Sequence, residues 1–359
     1  MTDFTVEEIQ VPETLDGPDA EGFLELVEVR NQVEADTLGT DALSWDPEGL
    51  RVIYGTTRLY VRRHLVARVA GRIAGRAIVT AATLPGTAEA SVVVEVLAEH
   101  RRRGIGTALT TAAEDIARSL GHTVLQCELP HTGAPGGERV PSPTGFGDLP
   151  AVDPGVRFLQ RHGYSLEMVN RISQLDLVAS SPAVAELFAA ARAAAGADYR
   201  LVTWAGAAPE ERYEDLARLK SAMDTDAPSA GLESTEDPWD VDRVREWDGR
   251  MQATGRLLLT AAAEHVPTGR LAAYTELGLP RGDAPPATQE DTLVLKSHRG
   301  HRLGMLLKAA NLQQLREVSP GTTVVTTFNA EDNRPMLDVN EALGFRAIGY
   351  EGSWQKDLR

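Results

Sequence analysis

The chain has 359 residues, natural for two cores and long for one, and its 42% hydrophobic and 25% charged content is that of a soluble globular protein. A formal net charge of −16 argues against nucleic acid or an anionic membrane as the main partner, since both need a basic face; it suits a cationic amine as substrate, and it serves solubility equally well. The single cysteine, Cys127, excludes an internal disulfide framework or a Cys-rich metal site, no apolar run reaches transmembrane length, and the acidic start lacks a signal-peptide core, so a cytoplasmic location is expected.

Taken in order, Phe23 to Ala35 places Phe23, Leu26, Val27 and Val33 at near-helical spacing, with Asp19 or Glu21 near the helix start. Arg58 to Val69 and Arg72 to Leu84 alternate as two antiparallel strands joined at Ala70-Gly71. Thr87 to Ala98 is a third strand, carrying the β-branched Val92, Val93, Val94 and Val96. A turn rich in Arg and Gly follows, and an Ala-rich helix runs from near Gly104 to a C-cap at Gly121. Thr123 to Leu129 is the next strand, in which Cys127 reads as a packed thiol. Pro130 to Pro154 is rich in Pro and Gly; it reads as a long loop that either covers a site or is disordered. Gly155 to Gly163 is a short helix, and Tyr164 to Leu177 a strand.

Residues 179–198 form a linker helix, with Ser181 as its cap and Pro182 at its first position. Beyond it come a strand at Tyr199 to Trp204, a helix at Pro209 to Met223, a polar loop, and a helix at Val241 to Thr254 with Trp247 and Met251 on one face. Arg256 to Glu264 and Arg270 to Leu279 are paired strands, a strand enters at Thr292, and a helix runs to Val318. Thr322 to Phe328, a helix closing at Gly344-Phe345, and a strand from Arg346 to Lys356 complete the chain.

The two Arg/Gly turns organise this order. Ser91 to Leu120 and Asp291 to Val318 align without a gap across the turn, His298-Arg299 on His100-Arg101 and Gly304 on Gly106. A repeat this long is a duplicated domain. The expected organisation is therefore residues 1–178, the linker at 179–198, and residues 199–359, each domain a mixed, mostly antiparallel sheet flanked by helices, in the α/β (α+β) class. Strand, glycine turn and helix start together hold an anion, because unpaired N–H groups and the helix dipole converge there. The turn lacks the Lys-Ser/Thr of a P-loop and the third glycine of a dinucleotide fingerprint.

Arg-x-x-Gly-x-Gly after a valine-rich strand resembles the acetyl-CoA-binding motif of the GCN5-related N-acetyltransferase (GNAT) superfamily. The second half is also similar to a bacterial subgroup of it, through HRG-x-x-LG-x-x-LK and NA-x-x-N-x-x-M-x-x-VN-x-x-LGF, from His298 to Phe345. The resemblance covers most of the chain as a tandem pair. It implies transfer of an acetyl group from acetyl-CoA to a primary amine of a small molecule by direct attack in a ternary complex, without a metal, in a monomer or homodimer. A non-catalytic acyl-CoA-binding or sensing protein is the alternative.

The resemblance also implies site residues. The diphosphate cradle would be Arg101, Arg102, Arg103, Gly104, Ile105, Gly106 and Thr107 in the first half. In the second it would be Arg299, Gly300, His301, Arg302, Leu303 and Gly304, with Asn333 either touching CoA or capping a helix. Backbone N–H groups near Val96 or Leu97, and near Val294 or Leu295, would meet the thioester carbonyl. An amine must lose its proton before it attacks, so a carboxylate is sought. Glu95 is a base or the partner of an arginine, and Glu276, Asp291 and Thr292 are the corresponding candidates in the second half. Two departures stand out. Leu159 and Asn340 occupy the positions where the family often has a proton-donating Tyr. Arg302 replaces the first motif glycine, so the second turn is expected to use more side chain and less backbone. The fuller C-terminal signature favours the second half for chemistry.

Overall fold

The computed structural model describes residues 3–131, 136–226, 229–282 and 284–359. In the first half, the strand β1 (Thr5–Ile9) precedes helices α1 (Ala20–Leu38) and α2 (Pro47–Tyr54). Strands β2 (Tyr60–Val69), β3 (Arg72–Ala82) and β4 (Glu89–Val96) then form a meander that feeds α3 (Ile105–Ser119) and β5 (Val124–His131). A small ribbon, β6 (Arg139–Pro141) and β7 (Asp148–Pro150), leads to α4 (Pro154–Arg161) and β8 (Ser165–Asp176). Helix α5 (Ser181–Ala195) crosses to the second half, which runs β9 (Tyr199–Ala205), α6 (Tyr213–Asp226), α7 (Val241–Thr254), β10 (Leu257–His265), β11 (Arg270–Leu279), β12 (Ala287–Val294), α8 (Leu303–Val318), β13 (Val324–Ala330), α9 (Arg334–Leu343) and β14 (Arg346–Asp357).

Three details differ from the sequence expectation. The stretch from Pro130 to Pro154 is not only a loop. Outside residues 132–135, which lie beyond the described residues, it forms the β6–β7 ribbon and buries Leu149 completely. Ser181 does not cap α5: its hydroxyl donates to the Leu177 carbonyl at 2.7 Å, and Ser180 holds the cap position. Strand β1 and helix α2, the latter capped by Asp46 accepting from the Gly49 N–H, were not anticipated.

Both halves share one twelve-stranded sheet, in the order β1-β2-β3-β4-β5-β14-β8-β13-β12-β11-β10-β9. The terminal strands are exchanged. Strand β14, from the end of the chain, lies against β5, and β8, which ends the first half, lies against β13. The two exchanged strands pair with each other antiparallel, with Glu351 opposite Asn170. Counted from the helix-closing glycines Gly163 and Gly344, these two residues hold the same position in their halves, so a pseudo-twofold axis passes between them. Cores form on both faces of the sheet. Helices α3 and α4 cover one face of the first half, around Leu109, Leu125, Leu149 and Trp354, while α5 and α8 do so in the second. On the opposite face, α1 packs over Val66 and Ile73, and α6 and α7 over Ala262, Leu271 and Tyr274.

Candidate acyl-donor and acceptor sites

The two turns have the same backbone. In the first, Arg102 and Gly104 take the left-handed region with φ of 63° and 87°; in the second, Gly300 and Arg302 do so with φ of 88° and 56°. Glycine and arginine have traded places in an unchanged loop, so the expectation that the second turn offers less backbone is corrected. Arg302 holds a conformation that costs a non-glycine residue roughly 1–2 kcal/mol. One staple fixes both loops: Arg101 Nε donates to the Val96 carbonyl at 2.9 Å, and Arg299 Nε to the Val294 carbonyl at 3.2 Å.

The remaining turn residues divide by what already holds them. Arg103 pairs with Asp3 and lies beside His100, and Arg299 also donates to Asp226 at 3.0 Å. Among the described residues, Arg102 and Arg302 make no ion pair and are exposed, so their guanidinium groups are the ones free to meet a phosphate. Ile105 and Leu303 bury their side chains and can offer only backbone. Thr107 Oγ1 sits 3.1 Å from His162 Nε2, and the His301 ring packs 5.1 Å from that of Tyr199. A Cβ on Gly304 would meet nothing nearer than Val294 Cγ2 at 3.9 Å, whereas on Gly106 it would meet the Phe158 ring at 3.3 Å. The second turn therefore has open space at its helix start, as a diphosphate requires, and the first is bordered by an aromatic ring.

Next to each turn the sheet opens. The parallel pairing of β4 with β5 stops at Ser91 and Gln126, and that of β12 with β13 at Gln289 and Thr327. The Leu97 N–H donates to Ala74 and the Leu295 N–H to Ala272, so these two are corrected: both are spent on the sheet. Alternation along an antiparallel ladder then turns the N–H groups of Val96 and Val294 the other way, into the gaps. Two gaps, each with a strand N–H at its edge and a left-handed turn at its end, fit an extended acyl-diphosphate ligand.

In the second half, β12 carries a bulge opposite Thr275–Leu277 with no counterpart in β4. Bulges re-aim side chains, and here Asp291 comes to the same face as Glu276, both within reach of Lys220, while Thr292 turns to Thr275 on the other face. Asp291 Oδ2 accepts from the Tyr274 hydroxyl at 3.0 Å and is half exposed. Thr292 Oγ1 lies 2.7 Å from Thr275 Oγ1. Glu276 is buried and accepts from Lys220 Nζ at 2.9 Å. Burial pushes the Glu276 carboxyl above its usual range, with Lys220 opposing. The Lys220 ammonium, opposed by burial, is held charged by Glu276 and Asp291. Lys220, from α6, was missed in the sequence, although it adjoins Leu219 on the apolar stripe of Leu216, Leu219 and Met223 and so signalled a buried charge.

The first half is built differently. Glu95 binds Arg76 Nε at 2.5 Å, and Arg76 is buried and also donates to the Tyr54 hydroxyl at 2.9 Å. Of the two readings of Glu95, the arginine partner is the one the geometry supplies. Three further carboxyls share this face and were also missed. Glu34 comes from α1, and Glu128 on β5 is the diagonal neighbour of Glu351 on β14. Burial raises Glu34 to about 7, eased by Arg30 and reinforced by Glu95. Burial and then Glu128 raise Glu351 to about 8, with Asn170 donating to it at 3.4 Å. Partial desolvation also raises Glu128, although this residue still reaches solvent. Arg30, the ion-pair partner of Glu34, also donates to the Leu43 carbonyl and to Asn31.

At the far side of each gap, Leu159 is core, and Asn340 is buried with its Nδ2 donating to Asn329 Oδ1 at 2.6 Å. Tyr164 is also core. Asn333 holds the N-cap position of α9 without a side-chain cap bond. Cys127 is buried, and burial pushes its thiol up to about 12.

Residues 31–135 match the Acetyltransferase (GNAT) family, so the match falls on the first half. No curated protein matches the chain. Among solved structures, a tandem GNAT protein from the clavulanic acid biosynthesis pathway is 25% identical with a TM-score of 0.73, covering 99% of each chain. A GCN5-related N-acetyltransferase from Sphaerobacter thermophilus is 12% identical, with a TM-score of 0.61 over 99% of this chain and 96% of that one. A glucosamine N-acetyltransferase region of a fungal multi-domain β-N-acetylglucosaminidase is 14% identical, with a TM-score of 0.58, and 38% of that chain is covered. The last two are likenesses of fold. With two matching turns, two opened sheets and a full-length tandem counterpart, the first half matches the GNAT family and the whole chain has the fold of a tandem GNAT protein.

Proposed function

We propose that the protein is an N-acetyltransferase that moves an acetyl group from acetyl-CoA to a primary amine of a small cationic molecule. The observation that carries this reading is the pair of gaps, each placing a strand N–H, from Val96 or Val294, beside a turn whose left-handed residues open the backbone to a diphosphate. When bound, acetyl-CoA supplies an activated carbonyl and a thiolate leaving group. The chain supplies the rest. The strand N–H groups donate to the carbonyl oxygen as negative charge gathers there. Arg102 and Arg302, with the helix N-termini of α3 and α8, hold the diphosphate.

The carboxyls of Glu34, Glu128 and Glu351 attract an ammonium. Having been pushed towards neutrality, they are suited to take its proton near pH 7, where a base and its conjugate acid are both populated. Glu95, fixed by Arg76, contributes negative potential. In the second half, Asp291 is the carboxylate that reaches solvent, with Tyr274 orienting it. The test is acetyl-CoA with a panel of monoamines and polyamines, followed by thiol release and product mass. Amine-dependent release of one thiol per acetylated product supports the reading. CoA binding without turnover on any amine favours the acyl-CoA-binding alternative.

A further inference from the structure

The two halves differ most at the place where an amine would wait. In the first, carboxyls from α1, β5 and β14 face one another; among the described residues no lysine joins them, and Arg30 pairs with Glu34. In the second, the corresponding region is already filled. Lys220 is buried, and its Nζ lies 5.2 Å from the Trp239 ring centroid, 5.7 Å from that of Trp247 and 5.1 Å from that of Tyr274. The same ammonium is 2.9 Å from Glu276 and 3.8 Å from Asp291. Three aromatic faces and two carboxylates make a seat for a primary ammonium, since ring faces and carboxylates both attract a desolvated cation. The seat is braced: the Trp239 N–H donates to Ser221 Oγ at 2.8 Å, tying the Trp239 segment to α6 one residue beyond Lys220. It lies on the α6–α7 face beside the bulge, three residues before Val294 turns its N–H into the gap.

Helices α1 and α6 correspond through a shared anchor: Glu25 accepts from the Ile73 N–H, and Asp215 from the Leu271 N–H. Counted from these acids, Lys220 takes the place of Arg30. Arg30 is divided among the Leu43 carbonyl, Asn31 and Glu34, while Lys220 is ringed by the aromatic seat and bound to Glu276.

We propose that Lys220 is a built-in occupant of the second half's amine seat, so that this half docks acyl-CoA without an exogenous acceptor and transfer takes place in the first half. This rests on the acetyl-transfer reading for its second clause only. Emptying the seat makes it a site for small alkylammonium ions. With one bound, its nitrogen gives a proton to Asp291 and bonds to the thioester carbonyl carbon; the carbon–sulfur bond breaks, the nitrogen's second proton passes to the departing sulfur, and the half-exposed Asp291 returns the first to solvent.

The experiment has two arms. In the first, thermal unfolding is measured for the full chain, Lys220→Ala and Lys220→Met. Lys220→Ala should unfold at a lower temperature, and propylammonium chloride, which replaces the deleted atoms, should restore most of the loss, unlike sodium chloride or propanol. Lys220→Met, which fills the seat without charge, should be lowered and not restored. No selective restoration of Lys220→Ala overturns the seat. In the second arm, the first turn is disabled by Arg101→Ala with Gly106→Glu. That protein should release thiol only at the amine-independent rate, and adding Lys220→Ala should raise release with propylamine about tenfold or more above that rate, each tenfold being ~1.4 kcal/mol of barrier. Amine-dependent release with Lys220 intact in that background overturns the assignment of transfer to the first half. A wild-type chain inert with every amine overturns the acetyl-transfer reading, while the unfolding arm still decides the seat.

Discussion

Arg302 and Glu351 show how single residues carry strain and charge in this fold. Because Arg302 sits at φ 56° in the place that glycine holds in the first turn, Arg302→Gly should raise stability by about 1 kcal/mol, and Gly300→Ala, at φ 88°, should lower it by a similar amount. Urea unfolding of the two variants checks both signs. Glu351 gives a pH signature. Its folded carboxyl, raised to about 8 by burial and Glu128, keeps a proton that the unfolded chain loses near the ordinary glutamate value of about 4.3. The folded state thus binds more protons between those values. The stabilisation is full below the lower value and is lost as pH rises through the higher one. The melting temperature should fall as pH rises from about 5 to about 8, and Glu351→Gln should flatten that slope; an unchanged slope would remove Glu351 as its source. The turn residues were legible in the sequence because their spacing is local. Glu128 and Glu351 were not, because a carboxylate on an exposed-looking strand gives no sign of the neighbour that a distant strand will bring.

At the scale of elements, most helices and strands followed from periodicity, and Val241–Thr254 and Arg270–Leu279 kept the bounds their patterns suggested. The elements that did not follow are short. Strand β1 has one face partly covered and no long apolar run, and α2 spans two turns. The β6–β7 ribbon hides in a Pro/Gly-rich stretch whose only strong apolar anchor is Leu149, fully buried against the first-half core. Leu149→Ala should cost about 2–5 kcal/mol, the usual range for a buried leucine, measured as a shift in the urea midpoint. A cost below 1 kcal/mol would mean that the ribbon is an appendage and not part of the core. That an N–H near Val96 or Leu97 would meet the carbonyl was expected from the family resemblance, yet which of the two faces the gap depends on ladder phase. That phase is set by pairing with β3 and β11, and no local pattern reports it.

Across the whole molecule, the duplication was legible and the exchange of β8 and β14 was not. Each of these strands follows a glycine-closed helix and has the same alternation whichever neighbour it joins, so the choice is made by the other half. The consequence for stability is testable. Residues 1–178 expressed alone should lack the strand that covers β5, and residues 199–359 the strand that covers β13. Co-expressed, the fragments should co-purify as a one-to-one complex. If each is instead monomeric and cooperatively folded by itself, the exchanged pairing contributes little.

The pairing of Glu351 with Asn170 at the pseudo-twofold axis has a further outcome. Whatever meets the first-half carboxyl Glu351 presses on the strand seam that the second half also needs. Through β14, β8 and β13, an event there is felt at the opposite gap without any hinge. Occupancy on one side should therefore register on the other as altered amide exchange along Val324–Ala330, making the tandem a single thermodynamic unit.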